Sequence, residues 1–198
     1  MMDQKGERTM VKRKRLNVKA YVSIGMLSSI AYLLMLLNFP LPLFPNFLFV
    51  DFSDLPALFA ALIFGPLAGI LVEFIKNVLN YVATGSQTGI PVGHIANFIA
   101  GIVFVLPTYF VYHKLKTRKG MTIALVAGTI IMAVVMSALN YIAILPAYTL
   151  LMGFPDMRNL VIPAILPFNI LKGIMMSVIF MLLFMRMQVW LNKNLKSV

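Results

Sequence analysis

Long apolar runs alternate with short polar or basic interruptions along the whole chain, and the runs continue for whole segments instead of alternating residue by residue. Six runs stand out: Val18 to Leu37, Leu55 to Phe64, about Leu67 to Ala83, Pro91 to Tyr112, Met121 to about Tyr148, and Leu160 to Met187. A helix needs roughly 20 apolar residues to cross about 30 Å of hydrocarbon. The pattern therefore predicts an all-α integral membrane protein, a bundle of six transmembrane helices. Strands of a membrane barrel would alternate in polarity over about ten residues, which these runs do not. The second run is short, and Gly65-Pro66 ends or kinks it. The sixth is interrupted by Pro163 and Pro167, neither of which can donate to a helical ladder.

The interruptions carry the charge. Fourteen of the seventeen basic residues fall in three patches: Lys5 to Lys19, Lys114 to Lys119, and Arg186 to Lys196. Lys and Arg mark the cytoplasmic ends of membrane spans, so all three patches are expected on one side of the bilayer. Four runs separate the first two patches and two separate the last two, both even counts. The reading is a basic cytoplasmic tail at 1–17, a membrane domain at 18–190 and a second cytoplasmic tail at 191–198, with both termini inside. Asn38 to Pro45, with three prolines, and Thr84 to Gly89 are then outer loops. Asp51-Phe52-Ser53-Asp54 reads as helix-start chemistry before Pro56.

With 61% hydrophobic residues and a mean hydropathy of +0.91, the chain exceeds what a soluble domain of its size can bury. The net charge of +11 is accounted for by the patches flanking the runs, and no basic face with interleaved aromatics supports nucleic-acid binding. Disulfide and thiol chemistry are excluded by the lack of cysteine. No phosphate loop of the G-x-x-x-x-G-K-[ST] type occurs, nor a G-x-S-x-G nucleophile, and His94 and His113 are not spaced with carboxylates as a metal site. The chain does not read as an enzyme.

Three charges lie inside apolar runs: Glu73, Lys76 and Lys172. A charge in the bilayer centre costs about 2.5–3.5 kcal/mol or more, so each should face protein or water. Glu73, Lys76, Asn77 and Asn80 recur at helical spacing and share one face, either as an internal ion pair holding helices in register or as a ligand pathway. Lys172 has no acidic residue on its own helix. With Asn169, just beyond Pro167, it suits a ligand site, the alternative being packing against Glu73. Asn97 and Asn140 are either interhelical hydrogen-bonding groups or part of the same pocket, and Tyr148 is either an interface tyrosine or a pocket wall. A pocket with apolar walls and a few converging polar groups would suit a flat, partly aromatic ligand with polar edges. Gly25-x-x-x-Ser29 allows close helix approach, within the bundle or to a partner.

Several segments together resemble one family. They are Leu36 to Pro40, Asp51 to Ala57, Phe64 to Gly69, Glu73 to Asn80, Ile90 to Gly93, Ala96 to Gly101, Ser137 to Tyr141, Ile144 to Tyr148, and Leu166 to Gly173. The chain resembles the riboflavin-specific substrate-binding components of energy-coupling factor (ECF) transporters. The resemblance implies a multi-pass protein of the bacterial cell membrane that captures riboflavin near the extracellular surface, beneath the first outer loop and spans four to six. It implies a transmembrane coupling subunit and two cytoplasmic ATPase subunits as partners, and no cofactor beyond riboflavin as transported ligand. The isoalloxazine ring is then expected among Leu43 and Phe44, with Tyr148 nearby, and Asn97, Asn140, Asn169 and Lys172 on its polar edges or the ribityl chain. Gly25 and Ser29 stand where family members commonly carry alanines facing the coupling subunit. A stand-alone facilitator or channel is the alternative function.

Overall fold

The computed structural model describes residues 18–86 and 89–197, with side-chain surroundings as far as Arg186. The expected tail at 1–17, Gln87 and Thr88 of the second outer loop, and the side chains of Lys193 and Lys196 lie outside the described part. The backbone of the last helix continues as far as Ser197, through most of the segment read as a second tail.

Helix α1 spans Val18–Leu36 and leads into a loop closed by a minimal hairpin, β1 (Phe39–Pro40) against β2 (Phe49–Val50), antiparallel with Phe39 opposite Val50. Pro40 fits there because a two-stranded ribbon has free edges. Helix α2 (Asp54–Phe64) and helix α3 (Pro66–Thr84) are separated by Gly65 alone. Gly65 has φ +98°, a region closed to side chains, and Pro66 opens α3 in the first turn, where its missing N–H is no loss. Helix α4 is Val92–Leu115. Helix α5 (Arg118–Leu139) starts where Thr117 Oγ1 accepts from Gly120 N–H at 2.8 Å.

Two wide turns were not anticipated. Between α5 and helix α6 (Leu145–Met152) the chain adopts a π turn, Asn140–Ile144, so one continuous rod carries both helices. A second π turn, Val161–Ile165, follows a 3₁₀ turn at Arg158–Leu160 and leads into α7 (Leu166–Ser197). Prolines account for both: Pro146 cannot donate to Ile142, nor Pro167 to Pro163, so the ladder widens by one residue. Ahead of the 3₁₀ turn, Asp156 Oδ1 accepts from Arg158 N–H at 3.0 Å.

Among the described residues six helical rods result, and five of them are long and apolar enough to cross a bilayer. The exception is α2, whose 11 residues rise about 16 Å. Every residue of α2 from Asp54 to Ile63 is buried, against α1, α3, α4 and α7. The loop before it descends into the bundle, since Val50, Asp51 and Ser53 are buried too. Irregular backbone at such depth is tolerated where protein surrounds it or a cavity adjoins it. Lys19, the Lys114–Lys119 cluster and Arg186 all stand at one end of the rods. The hairpin loop, the end of α3 with the start of α4, and the α6–α7 connection stand at the other.

Candidate functional site

Beneath the hairpin loop lies a buried charge cluster. Lys76, fully buried on α3, pairs with Asp54 at 2.5 Å and Glu73 at 2.8 Å, and donates to Ser53 Oγ at 2.6 Å. Lys172 on α7, 4% exposed, lies 3.4 Å from Asp51 and 3.6 Å from Asp54. Asp51 also accepts from Ser53 N–H (2.9 Å), from the Ser53 hydroxyl, and from Asn97 Nδ2 (3.1 Å). Burial pushes the Asp51 carboxyl up, but Lys172, Lys76 and the two Ser53 donors outweigh it and hold the group below the ordinary carboxylate range. The Glu73–Lys76 pair thus exists. Lys172 does not pack on Glu73 but has Asp51 of the loop and Asp54 at the start of α2 as partners. Asp51, Ser53 and Asp54 do not form an exposed helix start, and Ser53 makes no side-chain cap. Two buried ammonium groups need counter-charge more than a helix end needs a cap.

Above this cluster opens a cavity of about 770 Å³, bounded by the end of α1, the hairpin loop, α3, α4, the α5–α6 rod and α7. The volume lies in the range of small-molecule sites. Of the residues singled out from sequence, Asn97, Asn140, Tyr148, Asn169 and Lys172 line it together. Asn140 opens the first π turn and Asn169 lies one turn beyond the second. Each uses Nδ2 to bind the carbonyl four residues back, Met136 and Ile165, both at 2.8 Å. Their amide oxygens take no partner among the described residues and are available as acceptors. Phe168 lines the wall, with Phe44 edge-on behind it, ring centres 5.5 Å apart. Phe44 therefore backs the wall and does not form it. Leu43 does not reach the cavity: its side chain is 93% exposed on the outer side of the loop.

Sequence reading missed part of the lining. Phe47, Leu48 and Phe49 reach the cavity from the hairpin, and Met35, Met136 and Met152 add adaptable apolar surface. His94 lines the cavity beside Asn80, its Nε2 2.9 Å from Asn80 Oδ1. An amide oxygen only accepts, so the Nε2 carries the proton. The position of Asn80 on the polar face of α3 was the available signal for this corner. Asp51 had no such signal, because nothing local shows that its loop is buried.

Gly25 and Ser29 lie far from this site. Both are exposed on the outer face of α1, Ser29 Oγ bonds back to Gly25 O at 3.0 Å, and no atom lies within 4 Å of a Cβ placed on Gly25. That face is not used for packing inside the bundle, where α1 presents Ala20, Ile24, Ser28, Ala31 and Met35.

Residues 19–184 match the family model of the ECF transporter substrate-specific component. The chain is 51% identical over 184 residues to the riboflavin transporter FmnP of Bacillus subtilis, covering 90% of this chain and 97% of that protein. It is 41% identical over 188 residues to the riboflavin transporter RibU of Staphylococcus aureus, covering 91% and 98%. A solved structure of the S component of a bacterial ECF transporter superposes with a TM-score of 0.77 at 42% identity, covering 87% of this chain and 97% of that one.

Proposed function

Because this chain belongs to the family of ECF transporter substrate-specific components, we propose that it is the membrane subunit that captures riboflavin for uptake into a bacterial cell. The observation that carries the reading is the cavity itself, lined by the aromatic ring of Phe168 together with the amides of Asn97, Asn140 and Asn169 and the ammonium of Lys172. Riboflavin has the matching chemistry, a flat ring with one apolar edge, one edge rich in carbonyl and nitrogen acceptors, and a hydroxylated chain. The ring lies against Phe168, with Phe47 and Phe49 of the hairpin closing over it and Tyr148 at its side. Lys172 donates to an acceptor on the polar edge, and the amides of Asn140 and Asn169 accept from ring N–H or ribityl O–H groups.

Orientation follows from charge. The basic ends of the rods face the cytoplasm, so the cavity faces outward and both termini lie inside, with 1–17 and 191–198 as cytoplasmic extensions of the 18–190 membrane domain. Capture alone does not move a ligand uphill. The sequence carries no phosphate loop, so energy comes from a coupling subunit and two ATPases, and the exposed Gly25–Ser29 face is where the coupling subunit approaches closely.

Purified in mild detergent, the chain should retain flavin absorbance or quench added riboflavin fluorescence with a saturable one-to-one curve. Exchanging Asn140, Asn169 or Lys172 singly for an apolar residue should weaken binding by about tenfold each, the loss of a buried hydrogen bond. A colourless preparation with no quenching refutes the assignment.

A further inference from the structure

Asp51 is the acid that the cluster does not spend on Lys76. Of the three buried carboxylates, Asp54 and Glu73 are in contact with Lys76, at 2.5 and 2.8 Å. Asp51 alone has its closest cation in Lys172, at 3.4 Å. It is 2% exposed and lines the cavity at the inner end of the hairpin loop. One oxygen is locked by the Ser53 N–H and hydroxyl, an arrangement that fixes the rotamer within the loop's own turn. The other oxygen then faces Asn97 Nδ2 and Lys172 Nζ from α4 and α7.

Two consequences follow from the chemistry of a carboxylate. It only accepts, so Asn97 must turn its nitrogen toward Asp51 and its amide cannot flip. It also supplies counter-charge for an ammonium whose other charged neighbours are Asp54, whose second oxygen is in contact with Lys76, and the like-charged Lys76. An ammonium has three N–H groups, and Asp51 and Asp54 cannot satisfy them all. The remainder is left for a ligand acceptor.

We propose that Asp51 is a positioning residue for capture, holding the amide of Asn97 and the ammonium of Lys172 in the orientation that receives the ligand. The inference rests on the riboflavin reading above. Asp51 does not touch the flavin; it acts through Lys172 and Asn97. Because it sits on the descending loop, it also links that loop to α7, so the donor forms only when the loop is in place.

The test is a riboflavin titration of the purified full chain by fluorescence quenching, from about pH 6 to about pH 9. Wild type and the control Asp156→Asn, an exposed carboxylate that does not line the cavity, should bind with the same affinity throughout. Asp51→Asn should bind about tenfold or more weakly at pH 7, and weaker still toward pH 9, where an ammonium left with only the more distant Asp54 beside it gives up its proton more readily. In Asp51→Asn/Lys172→Arg the added pH dependence should vanish, because a guanidinium keeps its charge. Asp51→Glu should recover part of the affinity. Equal affinity of Asp51→Asn and wild type at every pH overturns the proposal. So does a uniform loss without pH dependence, which is what a purely structural role gives. If Asp51→Asn cannot be purified folded, Ser53→Ala keeps every charge and the Ser53 N–H bond but removes the hydroxyl that helps lock the Asp51 rotamer, and should weaken binding severalfold; unchanged affinity then overturns the proposal. Wild type that fails to bind riboflavin refutes the capture reading instead, a separate outcome.

Discussion

Lys76 and Lys172 are chemically identical, both buried and in one cluster, yet the structure assigns them different roles. Lys76 is enclosed by Asp54, Glu73 and Ser53 at 2.5–2.8 Å and does not line the cavity. Lys76→Met leaves two carboxylates facing each other without the cation between them. Removing one partner of a buried ion pair costs about 3–5 kcal/mol. For a domain of this length a kcal/mol corresponds to about 2–4 °C in Tm, so Lys76→Met should melt roughly 10 °C lower. Lys172→Met removes a cation whose contacts are 3.4 and 3.6 Å. Asp51 keeps Ser53 and Asn97 as donors, so the expected cost is only about 1–2 kcal/mol. Riboflavin affinity should nonetheless fall by about tenfold or more, since a cavity donor is lost. The assay is paired: the fraction surviving size-exclusion chromatography after heating in detergent, and fluorescence quenching by the survivors. Lys76→Met melting within about 2 °C of wild type, or Lys172→Met proving the less stable of the two, would refute the division of roles.

Gly25→Leu and Ser29→Leu place side chains on an exposed face, so riboflavin binding and melting should be unchanged while co-purification with a coupling subunit and ATP-driven uptake are lost. Equal loss of binding would put that face inside the functional core. Acidification tests Asp51 directly: with a carboxyl held below its ordinary value of 3.8, its contribution is complete above that value and disappears as pH falls through the lower, folded-state value. Riboflavin retention should therefore be flat from neutral pH down to about pH 4. Release beginning near pH 5 to 6 would contradict the buried network around Asp51.

The helices were legible because a membrane span announces itself by length, and the three basic patches set the parity of the crossings. Asn97, Asn140, Tyr148, Asn169 and Lys172 were legible as a group because polar residues within apolar runs require a shared polar surface. What stayed hidden is tertiary. Asp51 and Ser53 look like an ordinary helix start; only the descent of their loop, enforced by an α2 too short to span, buries them. Leu43 and Phe44 are adjacent in a prolyl loop, and nothing local shows that one faces outward while the other packs on Phe168. The π turns had a cause in Pro146 and Pro167, but a proline alone does not say whether a helix kinks, ends or widens.

The brevity of α2 bears on how the protein is made. As the chain leaves the ribosome, eleven residues headed by Asp54 offer an insertion machinery far less hydrophobic length than the roughly 20 residues that settle into lipid by themselves. The following segment carries Glu73 and Lys76 in its middle, each unwelcome in hydrocarbon alone. Joined by the Lys76–Asp54 contact, the two segments mask one another's charge. Inserted together as a hairpin, with Gly65 and Pro66 at its tip, α2 and α3 enter the membrane with that contact already available.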